Sequence, residues 1–364
     1  MLLKALRPTL LWVAALSILC AQTVVSAQAT PTVPAPSAPP APSALAVDVF
    51  PESTEITWLN NATYDAIHIF RDADPLAVLG GEAEEYADDS ATPGYHTYEV
   101  VGVLQGQASA TATRRAFVQG QSTDLIWSPL DTLGGATDSA QAILAALAAN
   151  ARTPLRVTEL PTLNDLAGYE SVWVTLGTFP YNHVLRPNEA DTLERYSAAQ
   201  GAVLYMEGGD TWFDDPSTPL HAKFGAVSTN GGDSDLSTQI GIPGVCLIVL
   251  DADYVGENSS IDRLIPGTSG QALFRNDTPA YDTVVLRSLP QGGYAVAASH
   301  EFGGLQPLGT DRAGLMELYL DCLELRAPTN LELRTIHPAR GQANGGDRVT
   351  LRGQFTRQTQ VYFG

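Results

Sequence analysis

Val172-Trp173-Val174-Thr175-Leu176, a helical stretch from Pro187-Asn188-Glu189 to Tyr196, and Ala202-Val203-Leu204-Tyr205-Met206 follow one another in the middle of the chain. Strand, helix and strand in succession require crossover connections, and crossovers make a parallel sheet covered on both faces. Outward from this unit, the same alternation runs from Asp124 to Leu325. Leu125-Ile126-Trp127 and Leu155-Arg156-Val157 read as strands, and Thr137-Asp138-Ser139-Ala140 caps an Ala- and Leu-rich helix to Asn150. Val245 to Leu250, Thr283 to Leu289 and Tyr294 to Ala298 add strands. In the last helix, Arg312 to Leu325, Leu315, Leu318, Tyr319 and Cys322 follow i, i+3, i+4, i+7 and mark one buried face.

Ahead of this region the period changes to two. Leu45 to Phe50, Glu55 to Trp58, Ile67 to Arg71, Tyr98 to Val103 and Ala108 to Val118 are short runs separated by turn residues. Such spacing without a helical period indicates a β-sandwich. Residues 30–43 are proline-rich, which predicts an extended, stiff tether. Residues 1–29 have the plan of an export signal: Lys4 and Arg7, an apolar run from Leu10 to Ala21, then Ser26-Ala27-Gln28-Ala29. Cys20 follows the large Leu19, which disfavours lipid attachment there. No later apolar stretch is long enough to span a bilayer.

The chain of 364 residues has 20 Lys+Arg against 40 Asp+Glu, a net charge of −20. That surface repels nucleic acid and anionic membranes, and no cofactor is expected. A secreted or cell-surface location follows from the export signal, with an extracellular glycan or protein as the expected partner.

Three resemblances organise the chain. Residues 44–119 resemble a fibronectin type III module, carried by Trp58, the Ile67–Asp72 strand, Tyr86-x-Asp88 and Tyr98-x-Val100. The resemblance implies that Tyr98 is a corner tyrosine bonding back to backbone, and that Trp58 packs in the core. Residues 123–326 resemble the flavodoxin-like, class I glutamine amidotransferase-like superfamily, through Val172 to Gly177, Leu204 to Trp212 and Ser299 to Leu305. Residues 331–364 resemble the opening of an IPT/TIG immunoglobulin-like module, through Ile336-x-Pro338, Gly345-Gly346, Val349-Thr350-Leu351 and Val361-Tyr362-Phe363-Gly364. Such a sandwich takes roughly 80–100 residues, so the sequence is expected to stop inside it. The fold expected is therefore multidomain: an immunoglobulin-like sandwich, an α/β three-layer parallel sheet, and a partial β segment.

Active amidotransferase relatives place a Cys on a strained turn after a strand, with a His and an acid two residues beyond it. Here that turn reads Glu207-Gly208-Gly209-Asp210, without an attacking group, and His300 and Glu301 are adjacent. No catalytic residue is expected on this ground. Ligands of open parallel sheets bind at the carboxyl ends of strands. Asn182, His183, Glu207, Asp210, Trp212 and His300 stand at those ends and are the candidate binding residues. The competing view has Asp210 capping a turn and Trp212 plugging the core.

Asp251-x-Asp253-x-x-Gly256-x5-Asp262 nearly copies a calcium loop, but Val255 replaces an oxygen donor and a strand precedes it. A solvated acidic loop is the expected reading, and no metal is assigned. Cys246 and Cys322 sit in apolar patterns, and a disulfide between them is open. Asn61, Asn258 and Asn276 begin glycosylation sequons. His68 and His96 are expected on strand surfaces. The function these features predict is extracellular binding or adhesion without catalysis. The alternatives are a secreted hydrolase using Glu207 and Asp210 as acid and base, and a structural spacer.

Overall fold

The computed structural model describes residues 37–50, 52–130, 138–232, 234–243 and 250–325, together with the backbone of two strands at 332–337 and 350–354. Residues 1–29, expected as an export signal, residues 30–36 of the proline-rich stretch, Cys20, Cys246 and most of 331–364 lie outside the described residues.

The first eight strands are β1 (Ser43–Val49), β2 (Thr54–Leu59), β3 (Ala66–Arg71), β4 (Asp74–Gly80), β5 (Glu85–Asp88), β6 (Gly94–Leu104), β7 (Gln107–Ala108) and β8 (Ala112–Val118). They form two antiparallel sheets, β1-β2-β5 and β4-β3-β6 with β7 and β8 on β6. This is a fibronectin type III-like sandwich. Period-two alternation sends Ile56, Trp58, Ile67, Ile69, Tyr98 and Val100 into its core. The Tyr98 hydroxyl does not reach backbone as the resemblance implies; it donates to Asp88 Oδ2 at 3.0 Å. Burial raises the pKa of Asp88, yet Ser90, Arg71 and Tyr98 outweigh it and hold the carboxyl below its usual value. A buried carboxylate thus takes the donor that backbone takes elsewhere. The end of the proline-rich stretch is also docked on the sandwich: Pro40 O accepts from Tyr64 at 2.6 Å and Ala41 O from Asn61 at 2.7 Å.

The next elements are β9 (Asp124–Trp127), α1 (Ser139–Ala149), β10 (Pro154–Val157), α2 (Leu163–Leu166), β11 (Ser171–Thr175), α3 (Pro187–Ser197) and β12 (Val203–Glu207). Then come β13 (Ala226–Asn230), β14 (Thr238–Gly241), β15 (Asp251–Tyr254), β16 (Arg263–Pro266), β17 (Gly270–Asn276), β18 (Tyr281–Ser288), β19 (Tyr294–Ala298), β20 (Leu305–Pro307) and α4 (Arg312–Cys322). Five strands run parallel in the order β10-β9-β11-β12-β19. From β18 onward the sheet is antiparallel, through β17, β14, β15 and β20, with β13 and β16 paired beside it. This half departs from the parallel sheet expected. The β17–β18 connection is a short turn that needs no crossover helix, so the chain folds back as hairpins.

Two apolar cores flank the sheet. Ile143 and Leu147 of α1 and Leu315 and Tyr319 of α4 pack with Trp173, Tyr205 and Val296 on one face. Leu166 of α2 and Leu193 and Tyr196 of α3 pack with Val172, Val174, Leu204 and Met206 on the other. At the amino ends of the strands Asp124 is fully buried and fully partnered. Arg152 donates to both its oxygens at 2.8 and 2.7 Å, and Ser171 donates at 2.5 Å.

Residues Pro39–Gly364 cluster as one unit, and the sandwich is joined to the mixed sheet by direct contacts. Arg115 forks onto Glu159 at 2.8 and 2.7 Å, and Gln119 donates to Gly168 O at 2.8 Å. Phe117 of β8 belongs to the same apolar cluster as Tyr169. Beyond α4, β21 (Glu332–His337) and β22 (Thr350–Gln354) pair antiparallel. Among the described residues no helix is long and apolar enough to cross a membrane.

Candidate functional site

Three loops meet at the carboxyl ends of β11 and β12: residues 176–183, 208–215 and 258–262. Gly209 makes the meeting possible, because a Cβ there would lie 2.3 Å from Ser260 O and 2.8 Å from Thr178 Cγ2. Its amide donates to Gly177 O at 3.1 Å, and its carbonyl accepts from Asp262 N at 3.0 Å. Asn182 Nδ2 reaches Asp215 Oδ2 at 3.2 Å and ties the first loop to the second.

Carboxylates gather where the loops cross. Asp210, Asp214 and Asp262 bring one oxygen each within 4.8 Å of one another. The Asp210 carbonyl accepts from Asp214 N and Asp215 N, so this residue closes the turn through its main chain and leaves its carboxyl to the cluster. Asp262 Oδ2 accepts from Trp212 N at 2.8 Å and Phe213 N at 2.9 Å, while its Oδ1 is buried without a hydrogen-bond partner. Burial and then the neighbouring Asp214 and Asp215 push the Asp210 carboxyl up to about 6. Burial raises Asp262 to about 7 against the pull of its two amides. On the first two of these loops Phe179, Tyr181 and Phe213 are 54%, 56% and 49% exposed.

A second polar group is buried on the α1 and α4 face. Glu207 accepts from the Tyr205 hydroxyl at 2.9 Å and Phe302 N at 2.7 Å, both on Oε2. The Ser139 hydroxyl leans toward this carboxyl outside ordinary hydrogen-bond geometry, so Oε1 lacks a full partner. Burial lifts Glu207 to about 7. Burial, with Glu207 and Glu257 nearby, lifts Glu301 to about 8. Desolvation alone takes His300 down to about 3, keeping a neutral ring that stands edge-on to Tyr254 at 5.5 Å between centroids. His300 Nδ1 and Glu301 Oε2 have no hydrogen-bond partner. β19 ends at Ala298, so His300 and Glu301 escape strand alternation and are both buried.

The structure therefore divides the candidate residues. Asn182 and Asp210 share the loop crossing, whereas Glu207 and His300 belong to the buried group on the other face. His183 bonds outside both groups: its Nε2 meets Glu189 Oε2 at 2.8 Å and its ring stands edge-on to Trp127, while it stays within electrostatic reach of Asp215. Trp212 packs edge-on to Phe224 and His221 and donates to Ala298 O at 2.9 Å. Asp251 and Asp253 are exposed on β15, and Asp253 takes the Thr238 hydroxyl; only Asp262 of that motif enters the carboxylate cluster. Cys322 is disulfide-bonded, and the chain's other cysteines lie outside the described residues. Asn276 is fully buried and hydrogen-bonded, which removes its sequon as an acceptor. Asp72 takes the His96 ring at 2.6 Å.

Neither a family model nor a curated protein matches the chain. Among solved structures, one described as FN3tt mut aligns at 18% identity over 21% of this chain and 91% of its own, with a TM-score of 0.19. A Fn3-like protein from Clostridium thermocellum aligns at 20% identity over 23% and 95%, with a TM-score of 0.20. The exo-beta-1,4-mannosidase Op5Man5 from Opitutaceae bacterium strain TAV5 aligns at 11% identity over 56% of this chain, with a TM-score of 0.36. The aligned part spans 34% of that enzyme.

Beside the 208–215 loop His221 Nε2 meets Thr211 O at 3.0 Å, and its Nδ1 accepts from Thr218 N at 3.0 Å with the Thr218 hydroxyl also 3.0 Å away, so both ring nitrogens are engaged. What the loop crossing offers is oxygen ligands, hydrogen-bond acceptors and exposed ring faces. Asp214, Glu301, Tyr181 and Phe213 were not among the candidate binding residues. Asp210 and Asp214 are four apart in one loop, the only local signal that the second belongs with the first.

Proposed function

We propose that this chain is an exported, modular, non-catalytic binding protein whose middle domain takes a neutral oligosaccharide at the carboxyl ends of its parallel strands. The observation that carries the reading is the set of half-exposed rings, Phe179, Tyr181 and Phe213, on two loops that also bring Asn182, Asp210 and Asp215 together. Ring faces pack against the C–H faces of sugars, while carboxylates and amides accept and donate to hydroxyls. Counted from β9, the parallel strands run 2-1-3-4-5, which supports the flavodoxin-like, amidotransferase-like reading of this domain. At the turn where active relatives carry their nucleophile, Glu207 is buried and hydrogen-bonded. Its carboxyl is fully buried, away from any substrate at the loop crossing, which supports binding over hydrolysis. The fibronectin-like sandwich, fixed through Arg115 and Phe117, holds the domain as an arm. The β21–β22 pair supports a further immunoglobulin-like module of the IPT/TIG kind.

A panel of glucan, mannan and chitin tetrasaccharides titrated into the full chain tests this reading. Saturable binding that Tyr181→Ala and Phe213→Ala abolish is the expected result. Turnover of the same sugars that Asp210→Asn removes while the fold persists would replace binding with hydrolysis, and neither signal would leave a spacer.

A further inference from the structure

We propose that Asp210, Asp214 and Asp262 hold a hard divalent cation with the size and oxygen preference of calcium, in the crevice between the loop after β12 and the segment entering β16. Carboxylates within 4.8 Å of one another are within reach of a single ion whose oxygen ligands sit about 2.3–2.6 Å away. Proximity alone describes many acidic surfaces, and the second observation is Asp262. This side chain is completely buried, spends Oδ2 on two backbone amides, and has no hydrogen-bond partner for Oδ1. A buried carboxylate oxygen without a donor is costly unless a positive charge meets it.

Among the described residues no such charge is paired with it. Among the described residues none of the ion pairs includes Asp210, Asp214 or Asp262. Arg263, next to Asp262 in the chain, pairs with Asp235 through its terminal nitrogen. The ligands are also preset. Asp262 N is bonded to Gly209 O, and the Asp210 carbonyl holds Asp214 N and Asp215 N, so both segments are fixed before an ion arrives. Asp214 is exposed and opens the site to solvent, leaving the remaining calcium positions for water or ligand hydroxyls. The inference does not depend on the sugar reading, because the cation needs only the three carboxylates.

The full chain, stripped with EDTA, is titrated with calcium chloride by calorimetry, and with terbium chloride while the tryptophans are excited. The expected result is one ion per chain with a Kd of about 10⁻⁴–10⁻³ M, and terbium emission that calcium reverses. Asp214→Ala, at an exposed position, weakens binding at least about tenfold, and Asp210→Asn does the same. The Asp251→Asn/Asp253→Asn double variant, which removes the near-calcium motif of the sequence but not this cluster, leaves binding unchanged. The proposal is overturned by the absence of heat and terbium emission up to about 10 mM calcium. It is equally overturned by undiminished binding in Asp214→Ala, or by loss in the double variant. Magnesium binding more tightly than calcium would overturn the choice of ion.

Discussion

The two ends of the same parallel sheet bury charge to a similar depth and treat it in opposite ways. At the amino end, Asp124 takes two bonds from Arg152 and one from Ser171, and Arg152 goes on to Glu170 at 2.8 Å and Leu325 O at 2.9 Å. At the carboxyl end Glu207 Oε1, Thr211 Oγ1, Asp262 Oδ1, His300 Nδ1 and Glu301 Oε2 are buried without hydrogen-bond partners. Burial therefore does not explain the difference, and neither does a shortage of polar residues. The buried carboxylate at one end has all its partners whereas these atoms at the other have none, and the proposed binding role is set at that second end.

The largest effect expected from this contrast is at the amino end. Arg152→Ala leaves Asp124 buried and uncompensated and destabilises the protein by about 3–5 kcal/mol in guanidinium unfolding. A loss below about 1 kcal/mol would mean that the amino-end network is not structural after all. Next comes Glu207. Its folded pKa, about 7, stands above the ordinary 4.5, so between these values the native state holds a proton that the unfolded chain has released. Its contribution to stability is thus lost as pH rises through that window, by about 2–3 kcal/mol. Glu207→Gln is neutral throughout, and its stability relative to the parent should rise between about pH 5 and pH 8 in EDTA by that amount. Parallel curves for the two proteins would show that the buried carboxyl is already satisfied. The smallest stability effect belongs to the rim. Tyr181→Ala and Phe213→Ala should change unfolding free energy by no more than about 0.5 kcal/mol. Oligosaccharide affinity should fall at least about tenfold in each. Large destabilisation would make these rings structural and erase the contrast with Arg152.

Much of this was legible in the residues, and the exceptions have physical causes. The β11–α3–β12 unit announces itself because its strands are continuous apolar runs and its helix starts at Pro187, signals that depend only on neighbours in the chain. β14, β15 and β16 are four-residue strands in polar surroundings such as Thr238-Gln239-Ile240 and Asp251-Ala252-Asp253, and only pairing with distant partners makes them strands. The same reason dissolves the near-calcium motif, since Asp251 and Asp253 become outward side chains of β15 while Asp262 turns inward to Trp212 and Phe213. Asn182 and Asp210 could be placed at strand ends from order alone. That Glu207 lies on one face and Asp210 on the other depends on where β12 stops, which one residue of register decides. Tyr98 carries the same lesson in the sandwich: its position follows from the motif, its partner Asp88 from tertiary structure.

Amide hydrogen exchange on the full chain, with and without a saturating tetrasaccharide from the panel, tests the central claim most directly. Slowed exchange confined to residues 176–183 and 208–215, with Asp124 to Trp127 and the sandwich unchanged, is the predicted result. Protection centred on the sandwich or the amino ends of the strands, or none with any sugar, would contradict a binding role for the carboxyl end.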